Sequence, residues 1–132
     1  MIALDTNVLV RFLVESTDEP TQSERARTLV AETLVSGEEV LLPLVVVVET
    51  VWVLKSVARF GKPELIGVVQ DLLESALTLD DGDVVRDALE AWRAGQGDFA
   101  DYVIGGQAKA RGAAQVYTFD TKLARSAGYT LL

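Results

Sequence analysis

Four acidic residues, Asp5, Glu49, Asp101 and Asp120, stand where a short apolar run ends or a helical pattern turns its inner face. Carboxylates gathered at one edge of an α/β sheet are most simply a divalent-cation site. Hard oxygen donors suit such an ion, and such sheets place their sites beyond the carboxyl ends of the strands. The chain has no histidine and no cysteine. That excludes Ser-His-Asp triads, thiolate nucleophiles and ordinary zinc centres. Any chemistry must run on carboxylates, hydroxyls, amides, Lys or Arg.

Each acid also has a structural reading. Asp5 follows Ile2-Ala3-Leu4 and precedes Thr6-Asn7, so it suits a helix N-cap, with the Asn7 side-chain oxygen placed to hold a water or orient Asp5. Glu49 lies inside Val45 to Leu54, on a helix that reads as apolar nearly all round. An ionised carboxylate buried there without a partner would cost several kcal/mol, so the pattern points to a partner or a metal. The alternative is a surface position on a narrow polar stripe through Glu49, Lys55 or Arg59. Asp98 and Asp101 frame Asp-Phe-Ala-Asp across a first helical turn, Asp98 as N-cap and Asp101 favoured by the helix dipole. Asp120 ends Tyr117-Thr118-Phe119-Asp120 and also suits a cap. Asp80, Asp81, Asp83, Asp87 and Glu90 read as a solvated helix start and face.

The elements that must position these residues follow from periodicity and punctuation. The chain has 132 residues, 49% hydrophobic and 24% charged, with no repeat or linker, which predicts one domain over residues 1–132. Ile2-Ala3-Leu4, Val40-Leu41-Leu42, Leu77-Thr78-Leu79, Val116 to Phe119 and Tyr129 to Leu132 read as short strands. Helices are expected over Asn7 to Glu15, then from a Thr21-x-x-Glu24 capping box to about Ser36. Others are expected from Leu44 to Arg59, from Lys62 to near Ala76, from Asp80–Asp83 to Ala94, and from Asp98 to Gly112. A short one covers Asp120 to Ala127. Alternating strands and helices predict an α/β fold: a central, mostly parallel sheet of about four to five short strands with helices on both faces.

The net charge is −8 and the pI near 4.4. Bulk electrostatics therefore opposes nucleic acid, and a nucleic-acid substrate would require metal ions, a local basic patch or a basic partner. Arg11, Lys55, Arg59, Lys109, Arg111, Lys122 and Arg125 flank the acidic segments and read equally as ordinary surface cations. The opening Met1-Ile2-Ala3-Leu4-Asp5 does not read as a signal peptide, and the apolar run Leu41 to Leu54 is too short and too charged to span a membrane. Together with the absence of cysteine, this leads to the expectation of a cytoplasmic protein without membrane partners.

The four acidic blocks resemble those of PIN-domain ribonucleases. Ile2-Ala3-Leu4-Asp5-Thr6-Asn7-Val8-Leu9 is similar to that family's hydrophobic-Asp-Thr/Ser-Asn opening. Val48-Glu49-Thr50-Val51-Trp52-Val53-Leu54 resembles its second block, Asp98-Phe99-Ala100-Asp101-Tyr102-Val103-Ile104 its third, and Thr118-Phe119-Asp120 its fourth. The likeness runs over essentially the whole chain and is strongest to the VapC-type toxins of bacterial type II toxin–antitoxin pairs. It implies a three-layer PIN-like fold and a Mg²⁺- or Mn²⁺-dependent endoribonuclease with Asp5, Glu49, Asp101 and Asp120 as catalytic, metal-binding acids. Thr6, Asn7 and Thr118 would orient ligands or water. It also implies a VapB-like antitoxin, an RNA substrate and a homodimer. Tyr102 departs from the small or aliphatic residue that usually follows the family's third acid, a difference that bears on groove shape. Two other readings stand beside this one. Asp5-Thr6-Asn7-Val8-Leu9 superficially resembles the nucleophile motif of haloacid-dehalogenase-like phosphoryl-transfer enzymes, with Asn7 in place of its second Asp. The other is a non-catalytic binding module.

Overall fold

Three of the apolar runs join as one parallel ladder. In this computed structural model, which describes residues 1–132, β1 (Ile2–Ala3), β2 (Val40–Leu42) and β3 (Thr78–Leu79) lie in the order β1-β2-β3. Ile2 pairs with Val40 and Leu42 with Leu79. The ladder extends one residue past each flanking strand, with Leu4 N–H on Leu41 O at 3.1 Å and Asp80 N–H on Leu42 O at 3.0 Å. Parallel pairing puts the three carboxyl ends at one edge, and Asp5 leaves from that edge. The connections are helical: α1 (Thr6–Leu13) and α2 (Pro20–Val35) between β1 and β2, then α3 (Leu44–Ser56) and α4 (Lys62–Glu74) between β2 and β3. α1 packs on α2 and α3, and α3 on α4. Their inner faces bury Leu9, Val30, Val47, Leu54, Leu65 and Val69 over Val40 and Leu42. These residues form one compact unit, Met1–Asp80.

The second compact unit, Asp81–Leu132, follows without a linker. It holds α5 (Gly82–Ala94), α6 (Phe99–Ala110), β4 (Val116–Thr118), a single 3-10 turn (Leu123–Arg125) and β5 (Tyr129–Leu131). β4 and β5 pair in parallel, Val116 opposite Tyr129 and Thr118 opposite Leu131. α5 packs on α6, with Trp92 and Phe99 tilted at 47° and their ring centroids 5.3 Å apart. Val85, Leu89 and Val103 complete that core.

The α/β class, the wholly parallel pairing and the five strand positions agree with expectation. The strands form a three-stranded and a two-stranded sheet, not one continuous ladder. Strands of two or three residues make few ladder bonds each, which limits how far a sheet propagates. The Thr21-x-x-Glu24 capping box does not form. Pro20, whose fixed φ suits a first helical position, starts α2 two residues earlier behind Glu19. Between Asp120 and Ala127 there is one 3-10 turn in place of an α-helix.

Candidate functional site

Asp5 lies two residues past β1 with extended backbone and caps α1, its Oδ1 accepting the Thr6 N–H at 2.7 Å. The Thr6 hydroxyl donates to Glu49 Oε1, in the second turn of α3. One buried threonine thus holds a carboxylate from the end of a strand and a carboxylate from a neighbouring helix. The two acids come together because α1 starts immediately after β1 and packs against α3.

The environment of Glu49 corrects the sequence reading. Its helix is not buried all round: Val46, Val47, Thr50, Val51 and Leu54 face inward, whereas Glu49 is exposed between Val45, 69% exposed, and Trp52, 61% exposed. The apolar outer face, not burial of the carboxylate, made the helix look uniformly apolar. Beside Glu49 on the buried side, Thr50 Oγ1 has no hydrogen-bond partner.

In the second unit Asp101 occupies the third position of α6. Its Oδ2 accepts the Asp98 N–H at 2.8 Å, and the two residues close a capping box. Asp98 is therefore accounted for as the N-cap, while Asp101 is half-buried. Asp120 follows β4, and its Oδ1 accepts the backbone N–H groups of Lys122 at 2.9 Å and Leu123 at 3.1 Å. Thr118 Oγ1 in turn accepts the Asp120 N–H at 3.0 Å. Asn7 is exposed and makes no hydrogen bond of this kind.

A common pattern emerges. Each of the four carboxylates has one oxygen held by a donor of the chain, and its second oxygen carries no such bond. All are exposed or half-buried, so water reaches them. Oxygen-only donors, pre-oriented and wet, fit a hard divalent ion that retains part of its hydration. Within neither unit are three such acids gathered around one point.

Sequence reasoning missed the aromatic scaffold behind Asp101. Tyr102 is 4% exposed, so its bulk faces inward and does not shape a groove. Its hydroxyl accepts the Gly97 N–H at 3.1 Å and pairs with Ser126 Oγ at 3.0 Å. The Tyr129 hydroxyl donates to the Asp101 carbonyl at 2.6 Å, and the two tyrosine rings meet edge to face at 6.0 Å. The only signal available in sequence was the unusual bulk of Tyr102; Ser126 gave none. Among the cations named from sequence, Arg11 donates to Gln22 at 3.1 Å from α1, and Arg111 lines an open cavity with Asp81, Val84, Ile104 and Gln107. No helix is long and apolar enough to cross a membrane.

A family model described as the PIN domain matches residues 2–129. No curated protein and no solved structure matches the chain.

Proposed function

The chain belongs to the PIN-domain family, whose members are generally nucleases that require a divalent metal, and from that premise we propose a Mg²⁺- or Mn²⁺-dependent endoribonuclease that serves as the toxin of a type II toxin–antitoxin pair. The observation that carries this reading is the shared preparation of four carboxylates. Asp5 and Glu49 are held by Thr6, Asp101 by the Asp98 backbone, and Asp120 by Lys122 and Leu123. The absence of histidine leaves these acids as the residues suited to the chemistry. The match spans both compact units, which supports a single PIN-like domain over residues 1–132.

In this proposal Asp5, Glu49, Asp101 and Asp120 are the catalytic acids that bind the metal. When bound, the ion supplies positive charge against the developing negative charge of the phosphate and lowers the pKa of water. The chain's own task is orientation. Hydrogen bonds to one oxygen of each carboxylate fix its plane before any ligand arrives, as supporting residues do in metal sites generally. The acidic surface, net −8, suits a basic segment of a VapB-like antitoxin. Exposed Val45 and Trp52 offer apolar area of the kind a protein partner or a second copy covers. A cytoplasmic location, where RNA and such an antitoxin meet, completes the proposal.

Incubating the purified protein with total cellular RNA and Mg²⁺ or Mn²⁺ tests it, with EDTA and Asp5→Asn as controls. Discrete fragments that vanish in both controls are the expected result. A folded protein, free of any bound partner, that leaves all RNA intact with either metal would refute the nuclease.

A further inference from the structure

We propose that Tyr102 and Ser126 are positioning residues that set Asp101 and Asp120 relative to each other through their paired hydroxyls. The inference rests on the metal-binding reading above and concerns contacts entirely within the second unit.

The covalent path between the two acids is long, running through α6 and β4. The hydrogen-bonded path is short. Asp120 Oδ1 holds the backbone of Lys122 and Leu123, so its carboxylate is fixed to the start of the 3-10 turn. That turn closes with the Ser126 N–H on Leu123 O at 2.9 Å, and Ser126 Oγ meets the Tyr102 hydroxyl at 3.0 Å. The same hydroxyl accepts the N–H of Gly97, the residue before the Asp98 cap whose own N–H holds Asp101 Oδ2. Five successive hydrogen bonds therefore connect one carboxylate to the other, and Tyr102 is the residue where they join.

Close packing makes this connection stiff. A Cβ at Gly95 would lie 1.9 Å from the Tyr102 hydroxyl oxygen. One at Gly97 would lie 2.9 Å from Leu123 Cδ1 and 3.1 Å from Asp101 Oδ2. The loop before α6 thus passes directly against the tyrosine, the 3-10 turn and the carboxylate, with no room for a side chain. Tyr129 secures the other flank of the same turn of α6, its hydroxyl on the Asp101 carbonyl at 2.6 Å. A tyrosine next to the third acid would enlarge or block a groove if it faced outward. Facing inward, it does a different job, bracing the segment that carries the acid.

Mn²⁺ titration of the apoprotein by isothermal calorimetry tests the tether without relying on cleavage. Tyr102→Phe keeps the ring and removes the hydroxyl; Ser126→Ala removes the other half of the pair. Each is expected to weaken Mn²⁺ binding about tenfold, the scale seen when groups that orient metal ligands are removed. The double variant is expected to lose no more than either single one, because all three break the same link. In cleavage assays kcat should fall with KM for RNA unchanged. Wild-type Mn²⁺ affinity in both folded single variants overturns the proposal, as does an additive loss in the double variant. If Tyr102→Phe loses its cooperative melt, Ser126→Ala, at a half-buried position, decides alone. Asp101→Asn and Asp120→Asn in the same titration separate the two ideas. Undiminished Mn²⁺ binding in those variants sinks the metal-site reading itself. Loss there, with Tyr102→Phe and Ser126→Ala unaffected, sinks only the tether.

Discussion

Thr6 serves two acids with two different atoms, its backbone N–H to Asp5 and its hydroxyl to Glu49. Thr6→Val keeps the first bond and the side-chain shape while removing the second. Given the proposed ribonuclease activity, RNA cleavage in a single-turnover assay is expected to fall about 10- to 100-fold, and Thr6→Ser to restore most of it. The thermal midpoint should move little, since the net value of such a bond is about 1 kcal/mol. At the start of α6 the two acids separate by role. Asp98→Asn leaves a good N-cap, because Asn and Asp cap comparably, and should cleave near the wild-type rate. In the proposed metal-binding role, Asp101→Asn should lose about 100-fold or more in rate, beyond what removing a supporting group costs. Equal effects of the two substitutions would mean that the cap, not the carboxylate, matters.

Helices were the most legible elements, and their outer faces the least. The apolar pattern from Leu44 onward located α3 correctly because a strand could not be so long, yet it hid which side of that helix meets solvent. Val45 and Trp52 are exposed, so hydropathy alone made Glu49 look buried when its exposure depends on neighbours far away in sequence. The strands were readable as short apolar runs between breakers. Their division into two sheets depends on pairing, which a single strand's sequence does not encode. Of the local bonds at the acids, the Asp98–Asp101 box follows a known spacing, whereas the Tyr102–Ser126 contact exists only in the folded chain. Glycines show the same contrast within helical segments and their ends. Gly67 in α4 has nothing within 4 Å of a built Cβ, so Gly67→Ala should stabilise by about 0.5–1 kcal/mol through reduced backbone freedom. Gly95→Ala meets the Tyr102 hydroxyl at 1.9 Å and should destabilise by about 1–3 kcal/mol. Urea denaturation of both variants checks the opposite signs.

At the scale of the whole molecule, alkaline pH probes the scaffold behind Asp101. Burial, followed by the adjacent Asp101 carboxylate, raises the Tyr129 hydroxyl above the usual tyrosine range. The folded chain keeps this proton at a pH where the unfolded chain has released it. Its contribution to stability is therefore complete below about pH 10, the ordinary tyrosine value, and is lost as pH rises through the higher folded value. Urea midpoints measured from pH 8 to 11 should fall at the alkaline end, and fall less steeply in Tyr129→Phe. Identical alkaline slopes would remove Tyr129 from that account. The order of strands in the chain carries a last consequence, for synthesis. A polypeptide emerges from its amino end, yet β1, which delivers Asp5, pairs only with the later β2, and β4, which leads to Asp120, pairs only with the later β5. Neither of these acids stands on a paired strand when it leaves the ribosome. If the chain has the proposed ribonuclease activity, a nascent copy is thus expected to pass its own messenger unarmed, with Asp5 and Asp120 ordered only after β2 and β5 have been made.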